Sequence, residues 1–308
     1  MRFGIQHAIG DPGWVPEILE PGAVTRFARA AEESAWDAIA FTDHPAPSAR
    51  WSDHGGEGVA DPFSALGYCA ALTTSIRLLV YVLVPAYRNP FVAAQQVATL
   101  DALSGGRVTL GLGTGYLRGE FHAVGADPDQ RRSRFDEHLD AMRRAWSGAD
   151  VTMEGTGYSA RGTRVRPQPV QAPHPPLWIH ANGPWGRARA ARDLQGAIFM
   201  VADSVLVQTI RTTPVPDVDA LALALADLRI ATERAGRDPD ALDVVVCGQW
   251  PMLDVRTGWS SDRYLDEAAA LAALGVTWTV LTCCGDDPGA AEDTVRAFGE
   301  QVVAASVR

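Results

Sequence analysis

Two short stretches gather residue types that can do chemistry. The first is Gly111-Leu112-Gly113-Thr114-Gly115-Tyr116, a run of small residues that ends in a phenol. Small side chains leave backbone N–H groups bare, so a ligand can approach them closely. The second is Asp43-His44-Pro45, directly after the apolar Ala38-Ile39-Ala40-Phe41-Thr42. An imidazole there has the right type for acid–base work or for orienting a ring carbonyl; it can equally be bonded to structure. Asp43 either fixes the loop or holds the tautomer of the imidazole. Arg88 can meet a phosphate or cap a helix. Trp14, Trp51 and Trp250 fall in loops where aromatic walls suit a flat ligand, or simply pack.

Several chemistries are excluded. Gly111, Gly113 and Gly115 give G-x-G-x-G, whereas a dinucleotide fingerprint needs G-x-G-x-x-G opening a helix in the first βα unit. A metal reading would use Asp43, His44, Asp53 and His54, but the H-x-H of amidohydrolase barrels is missing from the first strand, which carries only His7; no metal is expected. All 27 basic residues are arginine. Without lysine there is no Schiff base, no pyridoxal-phosphate anchor and no P-loop lysine. The four cysteines, Cys69, Cys247, Cys283 and Cys284, lack zinc spacing and read as buried thiols. A net charge of −10 argues against nucleic acid or an anionic membrane as partner. No apolar run approaches a membrane span, and the N-terminus reads as a strand rather than a signal peptide, so a cytoplasmic location is expected.

The elements that must hold these residues alternate in type. Strands are expected at 3–7, 38–42, 78–84, 108–112, 177–180, 197–202, 243–247 and 276–281. Helices are expected at 23–34, 62–73, 90–104, 131–146, 186–193, 219–234, 261–274 and 289–305. In the helix after Pro90, Ala93, Val97, Leu100 and Leu103 recur at helical period until Ser104-Gly105-Gly106 stops it. Residues 45–61 read as a long polar loop, and 150–175 as a hairpin and proline-rich insertion. Eight strands, each followed by a helix, make a TIM (β/α)8 barrel the economical fold, in one domain of 308 residues. A doubly wound sheet is the alternative. In a barrel the Asp43-His44 pair and the 113–116 loop both sit at strand C-terminal ends, where ligands bind.

The segments AIAFTDHP (38–45), LVPAYRNPFVAAQQVATLDALSGGRVTLGLGTGYLRGEFHAVG (83–125), RRSRFDEHLDAMRRAW (131–146) and RPQPVQAPHPPLWIHANGP (166–184) together resemble the luciferase-like monooxygenases. They look most like the branch of oxidoreductases that use the deazaflavin coenzyme F420. The resemblance implies F420, or alternatively FMN, at the barrel mouth, a small-molecule substrate and a homodimer. It implies that Asp43 and His44 match an acidic-residue-plus-histidine pair, with His44 facing the reactive ring and Tyr116 as a second catalytic candidate. Tyr81-Val82 match the position of a non-prolyl cis peptide behind the ring. Gly113, Thr114, Gly115 and Tyr116 match the loop around the cofactor tail, and Ala181, Asn182 and Gly183 a turn completing the phosphate site. Arg118, Arg131 and Arg132 match no fixed role, and either meet the acidic tail of F420 or form a solvated face. Tyr116 stands where a glucose-phosphate-oxidising subgroup has a carboxylate, which argues against that substrate. Residues 203–218 match nothing in the family. Three functions are compatible: an F420-dependent oxidoreductase, an FMN-dependent monooxygenase fed by a reductase, and a barrel that binds a ligand without turnover.

Overall fold

Eight parallel strands close into a barrel in the order β1-β10-β9-β8-β7-β4-β3-β2. They are β1 (Arg2–Gln6), β2 (Ala38–Phe41), β3 (Arg77–Leu83), β4 (Val108–Leu112), β7 (Leu177–His180), β8 (Gly196–Met200), β9 (Asp243–Cys247) and β10 (Trp278–Thr282). The hairpin β5 (Val151–Gly155) and β6 (Tyr158–Thr163) forms a separate antiparallel pair in the expected insertion. The computed structural model describes residues 1–7, 15–53, 59–202, 207–208 and 211–306. Trp14 and His54, and the 203–206 and 209–210 parts of the unmatched 203–218 stretch, lie outside the described residues.

The strands are runs such as RLLVYVL and DVVVC, apolar on both faces because one face fills the barrel and the other meets helices. Inside, Trp178, Trp278, Leu79 and Ile198 pack across the axis. Outside lie α1 (Pro21–Glu33), α2 (Ala49–Asp53), α3 (Pro62–Leu72), α4 (Pro90–Ser104), α5 (Arg118–Ala123), α6 (Arg131–Trp146), α7 (Pro184–Asp193), α8 (Val218–Arg234), α9 (Ser261–Ala273) and α10 (Pro288–Phe298). The helix α4 starts on an Asn89 cap to the Phe91 N–H at 2.9 Å and stops at left-handed Gly105, φ 67°.

Three expectations need correction. The 45–61 loop contains α2, and the stretch after β4 contains α5, a six-residue helix whose period is too short to read. The closing helix is interrupted: α10 passes into a π-helical turn at Gly299–Val303. Gly299 sits so close to Ser34 that a Cβ would lie 2.4 Å from the Ser34 carbonyl oxygen. Among the described residues, no helix is long and apolar enough to cross a membrane.

The pairing of β3 with β4 sets up the site. Leu78, Leu79 and Val80 pair with Val108, Thr109 and Leu110, but the next pair is Leu83 with Leu112. The register shift falls on Tyr81–Val82, whose peptide bond is cis, at the position the resemblance marks. The shifted Val82 presses on β4. A Cβ on Gly111 would lie 3.0 Å from Val82, and one on Gly113 would lie 2.8 Å away. These two glycines therefore answer to Val82 as well as to any ligand.

Candidate active site

A cavity of about 570 Å³ opens at the C-terminal ends of the strands. Of the residues singled out by sequence, Asp43, His44, Trp51, Tyr81, Val82, Gly113, Thr114, Gly115, Tyr116, Gly183, Arg131, Arg132 and Trp250 line it. Ala181 and Asn182 are fully buried and absent from its wall. The Asn182 amide is committed to backbone: it donates to the Met200 and Thr213 carbonyls at 2.8 and 3.1 Å, and its Oδ1 accepts from the Met200 N–H at 2.8 Å. Asn182 thus ties the end of β7 to β8, and of this turn only Gly183 reaches the cavity.

His44 stands where β2 ends, its side chain 8% exposed. Its partner is Glu120 of α5, which sequence reasoning passed over. Glu120 is fully buried; Oε2 lies 3.0 Å from His44 Nδ1, and Oε1 accepts from the Ala46 N–H at 3.1 Å. A carboxylate accepts, so Nδ1 donates and Nε2 becomes the proton-accepting nitrogen. The Tyr116 hydroxyl lies 3.4 Å from that Nε2. The Trp51 ring stands edge-on to Tyr116, centroids 5.8 Å apart. Burial and the adjoining Glu120 carboxylate push the Tyr87 phenol well above its ordinary range, so Tyr87 stays protonated behind the pair. The only sequence signal for Glu120 was an acidic residue placed within the conspicuous 83–125 stretch.

Asp43 does not hold the imidazole. It accepts two hydrogen bonds from Arg88, both 2.7 Å, and one from the Val84 N–H at 3.1 Å. Asp43 thereby anchors the end of β3, and Arg88 serves that carboxylate rather than a phosphate or a helix end. Burial opposes charge on Arg88, but the Asp43 pair outweighs it and the pKa is raised.

The 113–116 loop also differs in detail from expectation. Gly115 has φ +75°, and a Cβ there would lie 2.8 Å from Phe121 and 3.0 Å from the Tyr87 hydroxyl. Its small size is demanded by the wall behind it, so a branched side chain would disturb the loop itself. Arg118 is drawn off to Asp129 at 2.7 Å, whereas Arg132 lies over the Trp185 ring at 5.7 Å. Gly183 N-caps α7 with no side-chain hydrogen bond, and Gly183, Pro184, Trp185 and Gly186 all face the cavity. The helix thus turns its N-terminal end, which favours anions, toward the cavity. Trp250 stacks on Phe3 and bonds to Glu267, so it is packing as much as wall.

A parallel barrel with an oriented histidine and an anion-favouring helix end at one mouth is the build of an α/β-barrel enzyme site. The sequence pattern of the family described as luciferase-like monooxygenase matches residues 1–251, and the chain belongs to that family. An F420-dependent glucose-6-phosphate dehydrogenase of Nakamurella multipartita is 32% identical over 250 residues, 80% of this chain and 66% of that protein. Among solved structures, monooxygenase RslO1 from Streptomyces bottropensis superposes with a TM-score of 0.77 at 23% identity, over 99% of both chains. An F420-dependent secondary alcohol dehydrogenase, solved with an F420-acetone adduct, gives 0.74 at 17% identity, over 100% of this chain and 99% of the other. At these identities the two structures speak for the fold alone.

Proposed function

We propose that this chain is an oxidoreductase that passes a hydride between coenzyme F420 and a small organic substrate. The observation that carries the reading is the buried Glu120 holding His44 Nδ1 at 3.0 Å on the wall of the cavity. The relative named for F420, at 32% identity, supports the choice of cofactor. Its sugar-phosphate substrate is not carried over.

The residues present suit such a cofactor. Arg131, Arg132, the Gly113–Tyr116 loop and the α7 N-terminus would hold its phosphate and acidic tail, and the shifted Val82 would stand behind its ring. When bound, the deazaflavin supplies a two-electron centre that takes or gives hydride. The protein's part is the proton. Glu120 fixes the tautomer, so His44 Nε2 takes the hydroxyl proton when an alcohol is oxidised and returns it when a carbonyl is reduced. Tyr116, 3.4 Å from Nε2, shares that proton or orients the substrate oxygen. Tyr87 closes the back of the pair against water.

The second reading, an FMN-dependent monooxygenase, uses the same cavity and draws on the family's description as luciferase-like monooxygenase. Tryptophan-fluorescence titrations decide between them. F420 is expected to bind at least about tenfold tighter than FMN; a tenfold preference for FMN, about 1.4 kcal/mol, would replace this proposal with the monooxygenase.

A further inference from the structure

Around the barrel, His44 at the end of β2 stands between two sectors. On one side are Val82 of β3 and the 113–116 loop after β4; on the other are β1 and β10. In this second sector Gln6 ends β1, Thr282 ends β10 and Thr42 directly follows β2. All three line the cavity. Their convergence follows from the strand period. Ala38, Ala40, Trp278 and Val280 pack inside the barrel, whereas Phe3, Ile5, Ile39 and Phe41 pack among the helices. Side chains alternate along a strand, so Gln6, Thr42 and Thr282 point inward at the ends of three adjacent strands. Gln6 pairs in register with Thr282 on one side and with Ala40 on the other, two residues before Thr42.

Gln6 is 6% and Thr42 7% exposed, yet neither they nor Thr282 make a side-chain hydrogen bond among the described residues. Their polar atoms keep accessible surface on the cavity they line. Trp51, His180 and Gln249 also line it, but their unpartnered atoms are sealed within the wall, and the Tyr81 hydroxyl turns to the Cys247 thiol. The charged groups beside the trio are acids already paired, Asp43 with Arg88 and Glu120 with His44. The arginines of the cavity, Arg131, Arg132 and Arg211, follow β4 and β8 instead. A carboxylate or phosphate at Gln6 would therefore meet no countercharge. The Gln6 amide and the two threonine hydroxyls each donate and accept, as a ligand hydroxyl does.

We propose that Gln6, Thr42 and Thr282 select an uncharged substrate with neighbouring hydroxyls, a diol or polyol, or the hydroxyketone it gives on oxidation. One oxygen reacts at His44 Nε2, and the next is held by the trio. Thr42 and His44 are two residues apart at the end of one strand, so a single small molecule spans them. The inference rests on the alcohol chemistry proposed at His44, but not on the choice of F420.

The test is a set of matched pairs, titrated calorimetrically into protein loaded with whichever cofactor it prefers, with saturation-transfer NMR for weak members. The pairs are propylene glycol against isopropanol, vicinal cis-cyclohexanediol against cyclohexanol, and styrene glycol against α-methylbenzyl alcohol. Lactate, with a carboxylate in place of the second hydroxyl, is the charged control. Wild type is compared with Gln6→Met, Thr42→Val and Thr282→Val. Melting curves confirm folding, and Gln6→Leu, Thr42→Ala or Thr282→Ala replaces any variant that fails. In at least one pair the diol is expected to bind at least about tenfold tighter than the mono-alcohol. At least two variants should bring that ratio below about threefold while mono-alcohol affinity stays within about twofold, which a merely structural role would not produce. No preference in any pair, non-binding included, would overturn the proposal. So would a ratio that stays above about threefold in two or more variants, or lactate binding tighter than propylene glycol. A diol preference without any cofactor reduction would retire the oxidoreductase reading and leave the subsite standing.

Discussion

The two sides of the barrel mouth are made to different rules. On the β2–β4 side the carboxylates of the site are paired, Asp43 with Arg88 and Val84 and Glu120 with His44 and Ala46, while the indole N–H of Trp51 beside them is buried without a partner. On the β7–β9 side, His180 and Gln249 each leave a buried atom without a partner, and Tyr81 reaches across from β3 to the Cys247 thiol of β9. A paired wall is rigid before any ligand arrives, which suits groups that must hold a proton in place. The contrast is between a wall built on fixed carboxylates and a wall of neutral groups desolvated by burial.

Breaking the paired side should cost stability first. Arg88→Ala leaves the Asp43 carboxylate buried with only the Val84 N–H, and should lower unfolding free energy by about 3–5 kcal/mol in denaturant melts. Arg88→Lys should recover part of it, because one ammonium cannot reproduce the two parallel bonds. A loss below about 1 kcal/mol for Arg88→Ala would mean that the pair is not structural. His44→Ala should act mainly on rate, slowing single-turnover reoxidation of reduced F420 on the order of 10²-fold, and should also lower the melting temperature because the buried Glu120 loses a donor. Reoxidation within about threefold of wild type would remove His44 from the mechanism. Glu120→Gln keeps the shape but can offer Nδ1 the wrong hydrogen-bonding end. Its expected effect is about tenfold on turnover, with cofactor affinity within about twofold. A fall in affinity larger than the fall in rate would make Glu120 a binding residue.

Much of the paired side was legible in the chain. The strand Val108–Leu112 and the helix Arg131–Trp146 fall at their expected bounds, because long apolar runs and a sustained helical period leave little choice. His44 and the 113–116 loop were visible because glycine and histidine at strand ends are conspicuous. Glu120 was not, since a short helix has no period and one more acid in an acidic chain looks like surface. Asn182 misled for the opposite reason. An amide in a turn looks free for a phosphate, and only the fold shows Met200 and Thr213 consuming it. His180 read simply as the last residue of a strand; that its nitrogen lacks a partner is a property of the closed barrel.

The unpaired side offers the smallest effect and a pH signature. The unfolded imidazole of His180 takes its proton near the ordinary 6.5, and the folded one only near about 4. The unfolded chain therefore binds more protons between those values, so stability is full above pH 6.5 and declines as pH falls toward 4. His180→Phe should flatten that part of the acid limb in melts taken from pH 7 to 4. An unchanged limb would show that His180 is not held neutral by burial.

Which cofactor the mouth accepts bears most directly on the proposed function. Cofactor-free protein mixed with equimolar F420 and FMN, passed through a desalting column and examined by absorbance, answers this in one spectrum. The protein fraction is expected to carry the deazaflavin band while FMN stays behind. A protein fraction carrying FMN and no deazaflavin would contradict it.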